Sequence, residues 1–130
     1  MKTTIYHNPR CSKSRDTLKF LTDAGVDAEV ILYLDTGWSA ETLKSLKTET
    51  GLSWESMLRA DAAKELKTAI DNGDEQIIIN HILTNPIALE RPFVTTSKGT
   101  RLCRPITHLL EIIDERPPSP WVTERGEPVL

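Results

Sequence analysis

The chain has 130 residues, a formal net charge of −3, and 38% hydrophobic and 27% charged residues. That length suits one domain with a real core, and a mildly acidic chain gives nucleic-acid binding no electrostatic support. No apolar run approaches the ~20 residues that span a bilayer, and the N-terminus lacks the apolar stretch of a signal peptide, so a cytoplasmic protein is expected.

Thr3-Thr4-Ile5-Tyr6 reads as a short buried strand, and Asn8-Pro9 turns the chain. Beyond Cys11, Leu18, Leu21 and Ala24 fall at helical spacing with Phe20 beside them, and Gly25 stops that helix. Residues 28–33 read as a second strand, which implies a parallel pair with a right-handed crossover. After the break at Thr36-Gly37-Trp38, Ser39 is an N-cap with Thr42 three residues on, for a helix carrying Leu43 and Leu46 and ending near Gly51. A short helix starts at Ser53 or Trp54 and runs through Met57 and Leu58. Residues 60–70 and 74–84 also carry helical periodicity, so about 39–84 is a helical insert. Residues 90–96 then read as a strand opening at Pro92, Ser97-Lys98-Gly99-Thr100 as a hairpin turn, and Arg101-Leu102-Cys103 as the return strand. Pro105 opens a last helix with Leu109, Leu110, Ile112 and Ile113. Pro117-Pro118-Ser119-Pro120 ends regular structure, and in the tail only Trp121 suits packing back on the domain. The expected organisation is one α/β domain over residues 1–115 with the order βαβ, helical insert, ββα, followed by a tail over 116–130. That order matches a thioredoxin-like mixed sheet.

The first strand–helix junction is where the sequence concentrates chemistry. A thiol at the first turn of a helix faces unpaired backbone N–H groups and the positive end of the helix dipole. Both favour the nucleophilic thiolate of Cys11, and the same arrangement holds an oxyanion. Arg10, Lys13, Arg15 and a protonated His7 would add positive charge. Position 14, where a Cys-x-x-Cys oxidoreductase has its resolving thiol, is Ser14. A one-thiol site closes no local disulfide, so an external thiol must regenerate it. For Ser14 itself two roles stand side by side, a hydrogen bond to the Cys11 thiolate and ordinary capping at the helix start. Cys103, on a predicted strand, reads as a packed structural cysteine, with a Cys11–Cys103 disulfide left open because geometry decides it. Arg91 and Arg104 each precede a proline on either side of the hairpin, whereas Arg59 does not stand out from sequence. The bond before Pro92 is trans by default. His81 and His108 have no partner at ligand spacing, so no metal site is expected.

The run His7-Asn8-Pro9-Arg10-Cys11-Ser12-Lys13-Ser14-Arg15, with Thr17-Leu18, resembles the signature of the glutaredoxin-coupled arsenate reductase family. Glu90-Arg91-Pro92 followed by Gly99-Thr100-Arg101-Leu102-Cys103-Arg104-Pro105 resembles it too, and Ile31-Leu32-Tyr33-Leu34 and Leu58-Arg59 match in the same order. The similarity covers roughly residues 3–115. It implies a thioredoxin-like fold and reduction of arsenate to arsenite in arsenic resistance. The implied nucleophile is Cys11, the implied anion-binding residues are Arg59, Arg91 and Arg104, and His7, Ser14 and Arg15 fall at supporting positions. Glutathione is the implied co-substrate and glutaredoxin the implied partner. No bound cofactor, membrane or nucleic acid is implied, and a monomer is expected. Ser12-Lys13 stands where some members have Gly-Thr. The rival readings are a glutathione-dependent thiol oxidoreductase without arsenate activity and an Spx-like regulator that binds RNA polymerase. The second of those typically carries the Cys-x-x-Cys that Cys11-Ser12-Lys13-Ser14 is not.

Overall fold

The computed structural model describes residues 2–130. They divide into two compact units, one running up to Leu32 and resuming over Arg91–Leu130, the other formed by Tyr33–Glu90.

The first unit carries the sheet. Strand β1 (Thr3–Tyr6) leads through the Asn8-Pro9 turn into helix α1 (Ser12–Asp23), which returns to β2 (Ala28–Ile31). Strands β3 (Phe93–Thr96) and β4 (Gly99–Leu102) form the hairpin around Ser97-Lys98. The sheet order is β2-β1-β3-β4. β1 runs parallel to β2 with Ile5 opposite Val30, and antiparallel to β3 with Ile5 opposite Val94. β3 and β4 are antiparallel, with Phe93 opposite Leu102. This is the thioredoxin-like mixed sheet that the order of predicted elements points to.

One face of the sheet is covered by a single apolar cluster. Ile5 and Val94 meet Phe20 and Leu21 of α1, Leu109, Ile112 and Ile113 of the closing segment, Cys103, and Trp121 from the tail. Each such side chain contributes roughly 1.5–3 kcal/mol on full burial, so α1 is held against the sheet by its Phe20–Leu21 face. The closing segment differs from the expected α-helix. Ile106–Glu111 is 3₁₀, with His108 N–H donating to Pro105 O at 3.1 Å and Ile112 N–H to Leu109 O at 3.1 Å. The tail is structured beyond the Trp121 contact anticipated for it. Trp121 packs edge-on against Phe20 with ring centroids 5.0 Å apart, its Nε1 donates to Asp23 at 2.9 Å, and Val122 bridges to Pro128.

The second unit is helical: α2 (Tyr33–Thr36), α3 (Ala40–Thr50), α4 (Trp54–Met57), α5 (Ala60–Glu65), α6 (Lys67–Asn72) and α7 (Glu75–Thr84), then a 3₁₀ turn at Pro86–Ala88. Ser39 caps α3 by accepting from Thr42 N–H, and Gly51 closes it at φ 72°, where a Cβ would be strained. Leu43, Leu46, Met57, Ile78, Ile79 and Ile82 are among its buried apolar residues. Tyr33 belongs to α2 and not to the second strand, because β1 supplies no partner beyond Tyr6, which pairs with Ile31. The periodic stretch over 60–70 is two helices meeting at Leu66, where ψ opens to 14°. Among the described residues, no helix is long and apolar enough to cross a membrane.

Candidate active site

Cys11 is the N-cap residue of α1, in extended conformation at φ −101° and ψ 122°, and its side chain is 9% exposed. At this position the chain leaves the sheet before the helix has started its own hydrogen bonds, so the first N–H groups of α1 are open to the sulfur. Burial works against the thiolate. The backbone N–H of Ser14, the charge of Arg91, the backbone N–H of Lys13 and a hydrogen bond from the Arg91 side chain outweigh it, and the thiol is held below its ordinary range. Arg104 Nη1 lies 3.8 Å from the same sulfur and also donates to the Arg91 carbonyl at 3.3 Å. Two guanidinium groups, from either side of the β3–β4 hairpin, thus converge on one buried thiol.

The loop that presents Cys11 is pinned from within. Asn8 is 4% exposed; its carbonyl accepts from Cys11 N–H at 3.0 Å and its Oδ1 from Arg10 N–H at 3.0 Å. Asn8 N–H donates to Ser14 Oγ at 3.0 Å, and that hydroxyl is joined to His7 Nδ1 at 2.7 Å. The hydroxyl of Ser14 is therefore committed to the loop preceding the helix, and its backbone N–H is what bonds the sulfur. His7 is 5% exposed, and burial followed by the charge of Arg15 lowers its pKa, so at neutral pH it is uncharged. The protonated His7 of the sequence reading does not survive this burial. Sequence reasoning passed over Asn8 as the residue that pins the loop carrying Cys11, because an Asn-Pro pair reads first as a turn.

Arg15 is committed elsewhere by its hydrogen bonds, with Nη1 on the Pro9 carbonyl at 3.0 Å and its other two nitrogens on Glu124. Cys103 is 1% exposed just past the end of β4; burial drives its pKa up to about 12, and the two cysteines are not bonded to each other. The bonds before Pro92 and Pro105 are both cis, against the default expectation at Pro92. Arg59 belongs to the helical unit, where it is the N-cap of α5 and its N–H donates to Ala88 O at 2.8 Å. Among the described residues, no group of His, Cys, Asp or Glu side chains is arranged to hold a metal ion.

The site brings together a buried thiol held below its ordinary range at a helix start, two arginines beside it, and a serine at position 14, a setting whose charge suits an anion. The ArsC family model matches residues 6–112. The chain belongs to the ArsC family. An Escherichia coli protein named arsenate reductase is 38% identical over 129 residues, covering 98% of this chain and 92% of that one. The protein YfgD of Escherichia coli (strain K12), whose name carries no activity, is 42% identical over 112 residues, covering 84% of this chain and 94% of that one. The solved structure of an arsenate reductase from Vibrio cholerae superposes with a TM-score of 0.73 at 38% identity, covering 87% of this chain and 98% of that one. In this ArsC family member, the motif block around Cys11 and the second block from Arg91 to Pro105 lie in the unit that holds the sheet, while Glu90, which opens the second block, is the last residue of the helical unit.

Proposed function

We propose that this protein reduces arsenate to arsenite through a covalent adduct on Cys11, with glutathione and glutaredoxin supplying the electrons. The reading is carried by one observation: the Cys11 thiol, lowered in pKa at the N-cap of α1, with Arg104 Nη1 at 3.8 Å and Arg91 beside it. Arsenate is a tetrahedral oxyanion, and the planar fork of arginine matches two of its oxygens at once. Arg91 and Arg104 neutralise its charge, and the family resemblance implies Arg59 as the third anion-binding residue. The Cys11 thiolate attacks arsenic; an S–As bond forms, an As–O bond breaks, and the displaced oxygen leaves as water after protonation.

Reduction of As(V) to As(III) needs two electrons, and Cys11 must be returned as it began. With Ser14 where a resolving thiol would stand, both electrons come from outside thiols. Glutathione displaces a second oxygen as water and becomes bonded to arsenic through sulfur. The glutaredoxin thiolate then takes that sulfur as a mixed disulfide, leaving the electron pair on arsenic. Hydrolysis of the remaining S–As bond frees arsenite and the Cys11 thiol. Neutral His7 and Ser14 hold the loop, and Arg15 steadies its Pro9 carbonyl. A monomer in the cytoplasm suffices for this cycle.

The deciding experiment is arsenite formation by the purified chain supplied with arsenate, glutathione and glutaredoxin. Turnover that is lost in Cys11→Ser, with a raised KM for arsenate in Arg59→Ala, Arg91→Ala and Arg104→Ala, supports the proposal. A chain that exchanges thiols with glutathione but forms no arsenite overturns it in favour of a thiol oxidoreductase.

A further inference from the structure

The C-terminal tail is built onto the helix that carries Cys11. Trp121 anchors it on Phe20 and Asp23. Two residues on, a tight turn begins: Gly126 N–H donates to Thr123 O at 2.9 Å, Thr123 N–H to Glu127 O at 2.8 Å, and Glu127 N–H to Thr123 Oγ1 at 3.0 Å. This turn carries Glu124, whose N–H is held by Oδ1 of the buried Asp16 at 2.9 Å. The Glu124 carboxylate in turn accepts from Arg15 twice, Nη2 to Oε1 at 2.6 Å and Nε to Oε2 at 3.1 Å. That fork-to-fork pairing fixes the plane of the guanidinium, and its remaining arm, Nη1, donates to the Pro9 carbonyl at 3.0 Å.

Pro9 lies two residues before Cys11, and the other polar groups of its loop are already committed, Asn8 O to Cys11 N–H and Asn8 Oδ1 to Arg10 N–H. We propose that Glu124 is a positioning residue for Cys11, acting through Arg15 on the Pro9 carbonyl. Without the carboxylate, Arg15 regains its rotamers and Pro9 loses its anchor. The backbone N–H groups of Lys13 and Ser14 then no longer converge on the sulfur. The inference rests on Cys11 being the nucleophile. Arg15 and Glu124 are both more than a third exposed, and exposed ion pairs contribute little to global stability, so the effect belongs to the loop.

Electrostatics alone gives the opposite sign. Glu124 is a negative charge near a thiolate, and deleting it while Arg91, Arg104 and Arg15 keep their charges and His7 stays neutral would ease ionisation of Cys11. Loss of position makes ionisation harder. The test is the pH dependence of Cys11 alkylation by iodoacetamide in the full chain, read by peptide mass spectrometry, for wild type and Glu124→Gln. The expected result is a midpoint moved upward, with the rate at pH 7 lowered about threefold, the factor that half a pKa unit gives, and a melting temperature within about two degrees of wild type. A midpoint that falls or stays in place overturns the proposal. The pair Arg15→Gln and Arg15→Gln/Glu124→Gln supplies a second reading: equal rates in the two support action through Arg15, and additive losses overturn it. Alkylation needs no arsenate, so a chain that labels as expected but forms no arsenite counts against the proposed reaction and leaves this inference standing.

Discussion

Arg104 spans the gap between the hairpin and the reactive thiol: its Nη1 lies 3.8 Å from Cys11 Sγ while donating to the Arg91 carbonyl at 3.3 Å. The contact ties two arginines together through one backbone oxygen, so the side chain that meets the sulfur also holds the main chain at Arg91. Arg91 adds its charge and a side-chain hydrogen bond to what holds the Cys11 thiol below its ordinary range.

Arg104→Ala removes a charge-assisted hydrogen bond worth roughly 1.5–3 kcal/mol. For the proposed reaction kcat/KM is expected to fall about tenfold to a hundredfold. Arg104→Lys restores the charge but not the fork, so it should recover only part of the loss. Steady-state kinetics on the two variants check this.

The two cysteines titrate on opposite sides of an ordinary thiol. Cys11 has a folded-state pKa below its unfolded value, so the stability it contributes is present above the unfolded value and lost as pH falls through the lowered one. Cys103 has a folded pKa of about 12, so its contribution is intact below the ordinary thiol value and lost as pH rises toward 12. Thiol labelling of the native chain at pH 7 should modify Cys11 alone, and labelling in denaturant both. Melting temperature should fall on the alkaline side, and less steeply in Cys103→Ala.

Ser14→Ala deletes the hydroxyl that Asn8 N–H and His7 Nδ1 share. Leaving buried polar groups without that partner costs about 1–3 kcal/mol. Denaturant unfolding should report a loss of that order, and the Cys11 midpoint should rise as the loop loosens.

Trp121→Ala empties a site that is 6% exposed, removes the edge-on contact with Phe20 and frees Asp23 from Nε1. Large-to-small changes of this kind cost about 3–5 kcal/mol. A tail that merely trailed from the domain would show no shift, so thermal melting decides between the two pictures.

Local signals served the reading of the chain well where the structure is itself local. The β1–α1 junction, the Ser39 cap and the Gly51 stop all follow from residues within one turn of one another. Cys11 stood out for the same reason, since helix-start acidification depends on the next three residues. Failures came where a distant partner decides. Tyr33 has the composition of a strand residue, but strand pairing ends with β1 at Tyr6. Burial of His7 depends on packing that its neighbours in sequence do not reveal. Glu124 sits in a segment without periodicity, 109 residues from the arginine it holds.

The sheet order leaves β2 and β4 with one strand neighbour each, and both are only four residues long. Glu29 sits on the first and Arg101 on the second. Short, charged outer strands give an approaching chain few main-chain hydrogen bonds to make and a charge to bury in making them. Self-association by strand addition is thus disfavoured at both ends of the sheet, and the purified chain should stay monodisperse as it is concentrated, which light scattering can follow.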